Sequence, residues 1–348
     1  DGTRVPTQDT GRDPALLFER EVLGRDLPDQ IRRRLHGREI FQRQLNGYTI
    51  DRRARPLRLT LELDREPEPA ELDVDGLLAE VSTAAQADAA VPWRLTFRAQ
   101  PRRTMVARVP VPPLGWTSLA ARGAGATGLM AGAVVPGAAA PVRTTERSLA
   151  NGWLSVEVEP LGTLRLVGEG VDVHGAGRLV DGGDQGDTYN YAPPDEDRLV
   201  NKPESVGVRT IAAGPLVGEL AIERRYAWPL GLADDGRRRG AATAPVLVTT
   251  RVELRAGESF ARIRVEFGNP SSDHRLRFHV PLPEPADRSA AEGQFAVVER
   301  GLQAEGGYGE HPVATFPARG WVDAGGVAVL LDHVTEYELV DDGRGARE

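Results

Sequence analysis

Most of the chain alternates hydrophobic and polar residues, which is the period-two pattern of half-buried β-strands. Beyond residue 145 this pattern continues almost without interruption, and residues 256–258 predict a compact hairpin turn between two long strands. More than eight strands with almost no helix predict a large antiparallel β-sandwich. The predicted strands lie at 57–63, 93–97, 104–109, 153–159, 163–167, 216–226, 246–255, 260–267, 275–280, 295–298, 313–316 and 327–331.

Helical periodicity is confined to the N-terminal part of the chain. Apolar residues recur three and four apart at 73–84, where Asp73 is placed to cap the first turn. A second helix is expected to begin at Asp26, because Pro28 suits the first turn of a helix. The apolar face of this second helix comprises Ile31, Leu35 and Ile40.

These patterns predict a mainly β protein in three parts. Residues 1–116 form a small α+β domain, which begins with a polar, irregular stretch at 1–25. Residues 117–145 are rich in Gly and Ala and lack periodicity, so they are expected to form a linker or a long loop. Residues 146–348 form the large β-sandwich.

The composition narrows the classes of partner. The chain has 348 residues, a formal net charge of −8 and no cysteine. The negative charge disfavours nucleic acid and anionic membranes as partners, and no apolar run reaches the roughly 18 residues of a transmembrane helix. The lack of cysteine excludes disulfides and thiolate metal ligands. We therefore expect no nucleic-acid partner and no membrane partner.

Familiar catalytic and metal-binding motifs are missing from the sequence. Of the six histidines, His274 and His279 lie five apart on a predicted strand, so they face opposite sides and do not share a metal. No nucleophile-elbow serine and no phosphate-binding glycine loop is present. A glycosidase needs two carboxylates about 5 Å or about 6.5–9.5 Å apart, and 51 acidic residues offer no marked pair. No catalytic residue and no metal ligand is assigned within this chain.

The densest group of chemically active residues lies at 179–194. Asp181, Asp184 and Asp187 recur every third residue among three glycines, which predicts a sharply bent loop rich in acceptors. Such a loop can be a solvated turn, hold a hard cation or bind sugar hydroxyls, although its spacing differs from that of an EF-hand. Tyr189 and Tyr191 favour a sugar, because their rings suit its C–H faces.

Several segments, in this order, resemble the C-terminal half of the family-38 α-mannosidases, including bacterial mannosylglycerate-hydrolase-like members. The most specific is 183–194, G-D-Q-G-D-T-Y-N-Y-A-P-P. The shared order extends over most of the chain. The other segments lie at 35–41, 46–48, 109–116, 149–158, 162–164, 269–277, 316–323, 330 and 335–338.

This resemblance implies a parent enzyme that is a retaining glycosidase. In the family an N-terminal α/β domain holds Zn²⁺ through two Asp and two His, and one Asp is the nucleophile. A helical bundle and β domains follow, the largest a mutarotase-like super-sandwich. None of these 348 residues matches the zinc or nucleophile motifs of the family. We therefore expect this chain to be the non-catalytic C-terminal region of such an enzyme, truncated at both ends and inactive by itself. Zinc is then a cofactor of the parent's separate catalytic domain.

The resemblance also suggests which residues meet the substrate. It gives Tyr189 the role of reaching into the sugar cleft, with Asp184, Asp187 and Asn190 supporting it. The alternative for Tyr189 is packing against the missing domain. Glu336 and Tyr337 lie in a segment that approaches the cleft in relatives, and their alternative is the end of a strand.

Three functions are therefore open. The first is the β region of an α-mannosidase-type hydrolase, with an α-mannoside or related glycan as partner, a homo-oligomeric parent and a bacterial cytoplasmic location. The second is a free-standing carbohydrate-binding module that uses the same loop. The third is a mutarotase-like epimerase, which is disfavoured because no motif marks the paired His and Glu that it needs.

Overall fold

The computed structural model describes residues 5–12, 15–67, 72–100, 102–119, 139–187, 191–303, 312–340 and 348. The chain divides into two compact units, Asp1–Ala107 and Arg108–Glu348. The described residues are mostly β-strands, with both α-helices in the first unit. This confirms the predicted mainly β fold. Neither of these helices is long and apolar enough to cross a membrane.

The first unit is an α+β domain built on one five-stranded sheet. Strands β5 and β6 are parallel and α2 connects them, whereas the other neighbours are antiparallel in the order β2-β6-β5-β4-β3. β1 pairs separately with β7. The elements are β1 (Thr7–Arg12), β2 (Leu16–Leu23), α1 (Leu27–Arg32), β3 (Glu39–Ile40), β4 (Arg43–Asp51), β5 (Leu57–Asp64), α2 (Val74–Ala87), β6 (Pro92–Ala99) and β7 (Arg103–Ala107).

The predicted helix at 73–84 is confirmed as α2. Leu77 and Val81 are buried against Leu59, Trp93 and Phe97 of the sheet, as the spacing of the apolar residues indicated. The Asp73 side chain accepts a hydrogen bond from the backbone N–H of Gly76 at 2.7 Å and so caps the helix.

We expect Asp73→Ala to lower the free energy of unfolding of the first unit by about 1 kcal/mol, because the Gly76 N–H loses its acceptor. Asp73→Asn should stay close to wild type, since Asn is an equally good N-cap. Urea unfolding followed by circular dichroism measures both. Asp75→Ala is the matched control in the same first turn, and an equal loss there would contradict the capping role.

Three N-terminal predictions were wrong. Residues 1–25 are not irregular throughout, because they contain β1 and β2. α1 ends at Arg32, so Leu35 lies beyond it, and Ile40 belongs to β3. The reason is a turn at His36–Glu39 in which Gly37 has φ +63°.

In the described residues of the second unit, every strand pairs antiparallel with its neighbours. The strands are β8 (Arg143–Thr144), β9 (Ser148–Ala150), β10 (Ser155–Val158), β11 (Leu164–Gly168), β12 (Val171–Ala176), β13 (Arg178–Gly183), β14 (Ser205–Ala212), β15 (Val217–Pro229), β16 (Thr243–Arg255), β17 (Arg262–Phe267), β18 (His274–His279), β19 (Arg288–Gly293), β20 (Ala296–Gly301), β21 (Thr315–Pro317), β22 (Trp321–Ala324), β23 (Val327–Leu330) and β24 (Glu336–Glu338).

A sandwich forms the core of this unit. One layer is the sheet β14-β15-β16-β17, in which β15 and β16 are long and pair along their whole length. The sheet β12-β11-β10-β9-β8 packs on one part of this layer through buried residues such as Val156, Leu164, Leu220 and Val252. The two-stranded ribbon β13-β18 packs on another part, over Trp228 and Val248. The remaining strands form the sheets β20-β19-β22-β23 and β21-β24.

Two boundary predictions need correction in the second unit. The connection after β16 is not a three-residue turn, because β17 begins only at Arg262. Asn151 holds this longer loop by donating from Nδ2 to the carbonyls of Arg255 and Glu258, both at 2.7 Å. Within the segment 117–145, the short strand β8 pairs with β9, and residues 120–138 lie outside the described residues.

Candidate functional site

The ribbon β13-β18 leads directly into the acidic loop at 183–194. In its register Asp181 lies opposite Leu276, and Gly183 lies opposite His274. Alternation along the two strands places Asp181 and His274 on the face toward the sandwich core, and Arg275 and Arg277 on the other face. The loop therefore starts from a paired ribbon whose two faces carry different side chains.

Asp184 closes the neck of the loop, which comprises residues 184–186 and Ala192. Its Oδ1 accepts hydrogen bonds from the backbone N–H groups of Gly186 at 2.9 Å and Ala192 at 3.0 Å. Its own N–H donates to the carbonyl of Asp273 at 2.9 Å, and the Gln185 N–H donates to the carbonyl of Ala192 at 2.8 Å. This carboxylate oxygen therefore joins the two ends of the loop.

The rest of the loop bears the other predicted contacts. Asp187 is exposed at the end of a described segment. Tyr189 and Asn190 lie outside the described residues. The roles of these residues in sugar binding therefore stay predictions.

Tyr191 anchors the returning end of the loop on the outer face of the ribbon. Its ring lies over the guanidinium of Arg275, with Cζ 4.4 Å from the ring centroid. Burial raises the pKa of the Tyr191 hydroxyl, and the charges of Arg277 and Arg275 only partly oppose that rise. The phenol is therefore neutral at physiological pH and is held by stacking.

The segment that contains Glu336 and Tyr337 forms β24, which lies beside Arg275 and Arg277. A Glu336 oxygen lies 3.6 Å from Nη2 of Arg275. The Tyr337 hydroxyl lies 2.8 Å from Oγ of Ser289, and its ring packs against Phe316 at a centroid distance of 5.8 Å. The structure thus places Glu336 near the loop through Arg275, whereas the Tyr337 side chain packs inside its own cluster.

A buried polar triad lies on the inner face of the ribbon. One oxygen of Asp181 accepts from Nδ1 of His274 at 2.5 Å, and the other accepts from Nη2 of Arg239 at 2.9 Å. The side chains of Asp181 and Arg239 are 0% exposed, and that of His274 is 7% exposed. Arg239 carries no local signal in the sequence, because it is the last of three consecutive arginines.

A second polar cluster occupies a surface depression of about 570 Å³ at Glu159 and His174. Burial alone raises the pKa of Glu159, but hydrogen bonds from Thr163, His174 and Gly175 outweigh it and lower that pKa. Both carboxylate oxygens are thus occupied by the protein. Among the described residues, no group of three His, Cys, Asp or Glu is arranged to hold a metal ion.

Chemically, the loop end of the ribbon offers acceptors, an aromatic ring and two arginines on a pair of hydrogen-bonded strands. Carboxylate and carbonyl oxygens can accept from sugar hydroxyls, and aromatic rings can cover the C–H face of a pyranose. The described part of this site therefore carries groups of the kind that bind sugars.

Two solved structures share the fold of this chain. An α-mannosidase from Enterococcus faecalis V583 matches with a TM-score of 0.54 and 19% identity, over 58% of this chain and 25% of that chain. A protein in glycosyl hydrolase family 38 from Enterococcus faecalis matches with a TM-score of 0.53 and 14% identity, over 96% of this chain and 38% of that chain. No family model and no curated protein matches the sequence. The likeness shows a common fold. This chain spans less than two fifths of the length of either matched chain.

Proposed function

We propose that this chain is the non-catalytic β region of an α-mannosidase-type glycoside hydrolase of family 38 and that its loop at 183–194 forms one side of the sugar cleft. The observation that carries the proposal is the fold, which matches a family-38 protein over 96% of this chain. The loop adds support, because carboxylate acceptors and the ring of Tyr191 lie at the end of the ribbon.

In this proposal the ligand is an α-mannoside or related glycan. Tyr189 contacts the sugar, Asp187 and Asn190 support it, and Asp184 keeps the loop closed through Gly186 and Ala192. Glu336 contributes by pairing with Arg275. In this proposal the zinc ion and the nucleophile lie in a separate catalytic domain, as the resemblance to the family implies. Among the described residues no group of three His, Cys, Asp or Glu is arranged to hold a metal ion.

The contribution of Tyr189 can be measured in the full-length enzyme with a chromogenic α-mannoside. Tyr189→Phe should lower kcat/KM about tenfold, because one hydrogen bond to the substrate is lost. Tyr191→Phe is the matched control two residues away and should retain activity, since the phenyl ring still stacks on Arg275. Equal activity of Tyr189→Phe and wild type would contradict the role of Tyr189.

The same substrate separates this proposal from a carbohydrate-binding module. The 348-residue chain alone should show no turnover with or without added Zn²⁺, and calorimetry should find at most millimolar affinity for methyl α-mannoside, because half a cleft makes few contacts. Turnover by the chain alone would overturn the proposal. Micromolar binding would instead favour the module.

A further inference from the structure

We propose that His274, through Asp181 and Arg239, is the positioning residue that fixes the described ends of the loop, residues 183–187 and 191–194. The consequence for a sugar ligand rests on the proposed function, whereas the order of these two ends is measurable without a ligand. The proposal stands on three sets of contacts that connect the triad to both ends of the loop.

The first connection passes through the residue before His274. Asp273 has φ +48°, a left-handed conformation that is rare outside glycine. In that conformation its carbonyl accepts the N–H of Asp184, the first residue of the loop neck. The bond from His274 to Asp181 holds β18 against β13 at this point, where Gly183 lies opposite His274.

The second connection passes through Arg239. A Cβ built on Gly183 would lie 2.7 Å from Cδ of Arg239 and 2.8 Å from Cγ of Pro194. The Arg239 stem and the Pro194 ring therefore both pack against Gly183, so the first and last residues of the loop meet beside this arginine. Its Nη2 is bound to Asp181, whereas its Nε and Nη1 are buried without an acceptor, so this carboxylate is the group that orients the side chain.

The third connection is the strand that carries Asp181. The backbone of Asp181 exchanges two hydrogen bonds of 2.9 Å with Val200, which lies after the loop has returned. Asp197 accepts the N–H of Gly183 at 3.0 Å on the same returning segment. Asp181 therefore bonds β18 and Arg239 through its carboxylate, and the segment that returns from the loop through its backbone.

The backbone amides of the neck report on this arrangement. In His274→Ala, hydrogen exchange at Gln185, Gly186 and Ala192 should become about tenfold to hundredfold faster, as expected for the loss of a hydrogen bond to a buried charge. His274→Asn should restore slow exchange, since its amide can donate from near the position of Nδ1. Unchanged exchange in His274→Ala would overturn the proposal.

The matched control is His279→Ala. His279 lies on the same strand, is 8% exposed and also bonds a carboxylate, that of Glu348 at 2.7 Å, but it lies at the far end of β18. Its loss should leave the three loop amides unchanged even where it lowers overall stability. Equal acceleration by both variants would mean that His274 acts only through general stability, and it would contradict positioning.

Steady-state kinetics test whether the position of the loop affects sugar binding. In the full-length enzyme, His274→Ala should raise KM for an α-mannoside about tenfold and His274→Asn should recover most of that loss. An unchanged KM beside faster loop exchange would retain the positioning role and contradict sugar binding by this loop. The two proposals therefore fail by different results.

Discussion

Asp181→Ala should lower the free energy of unfolding of the second unit by about 3–5 kcal/mol. The carboxylate is fully buried and is the acceptor for both Arg239 and His274. Without it a fully buried guanidinium has no countercharge, and its Nε and Nη1 already lack an acceptor. Urea unfolding followed by fluorescence and calorimetry measures the loss.

The control for Asp181→Ala is Asp172→Ala. Asp172 makes a two-pronged ion pair with Arg165 at 2.9 and 2.7 Å, but this pair is exposed to solvent and should contribute little. A double variant, Asp181→Ala with Arg239→Met, should recover part of the stability because it removes the unpaired charge. Equal stability of the Asp181 and Asp172 variants would show that the buried triad is not stabilising.

The triad also shows why part of the site could not be predicted. Arg237, Arg238 and Arg239 are identical neighbours in sequence, yet they pair with Asp195, Asp235 and Asp181. Only the third pair is buried. Its two members lie far apart in the chain, and their meeting depends on how the loops pack after the sandwich has formed.

The evenly spaced acids of the loop region could not be told apart from the sequence either. Asp181 and Asp184 are two members of one evenly spaced row, but β13 ends at Gly183, between them. Asp181 therefore faces the core of the sandwich, whereas Asp184 caps the turn that follows. Equal spacing in the sequence could not indicate that Asp181 lies in a strand and Asp184 in the turn after it.

Strands were predictable where alternation was regular. β5 buries every second residue from Leu57 to Leu63, as its pattern indicated. β4 was missed because its register shifts between Leu45 and Gly47, and such a bulge breaks the period of two. β2 was missed because it has three exposed charged residues in a row, at 19–21. Periodicity therefore predicts a strand only where both its faces are distinct and its pairing is unbroken.

Trp228→Ala should be the most damaging single core substitution next to the site, with a loss of about 3–5 kcal/mol in the free energy of unfolding. Trp228 is 0% exposed on β15, where it packs edge-on against Phe267 at 5.4 Å and lies 5.8 Å from the ring of His274. Removing the indole leaves a cavity beneath the ribbon that carries the triad.

Trp153→Ala is the matched control, because it removes the same side chain in the same unit from a position that is 60% exposed. Its unfolding free energy should stay within about 1 kcal/mol of wild type. Trp228→Phe should lie between the two, since it keeps a ring and removes an indole N–H that has no acceptor. If Trp228→Ala also speeds loop exchange only in proportion to its lost stability, whereas His274→Ala speeds it further, the core and the triad act on the loop by separate routes.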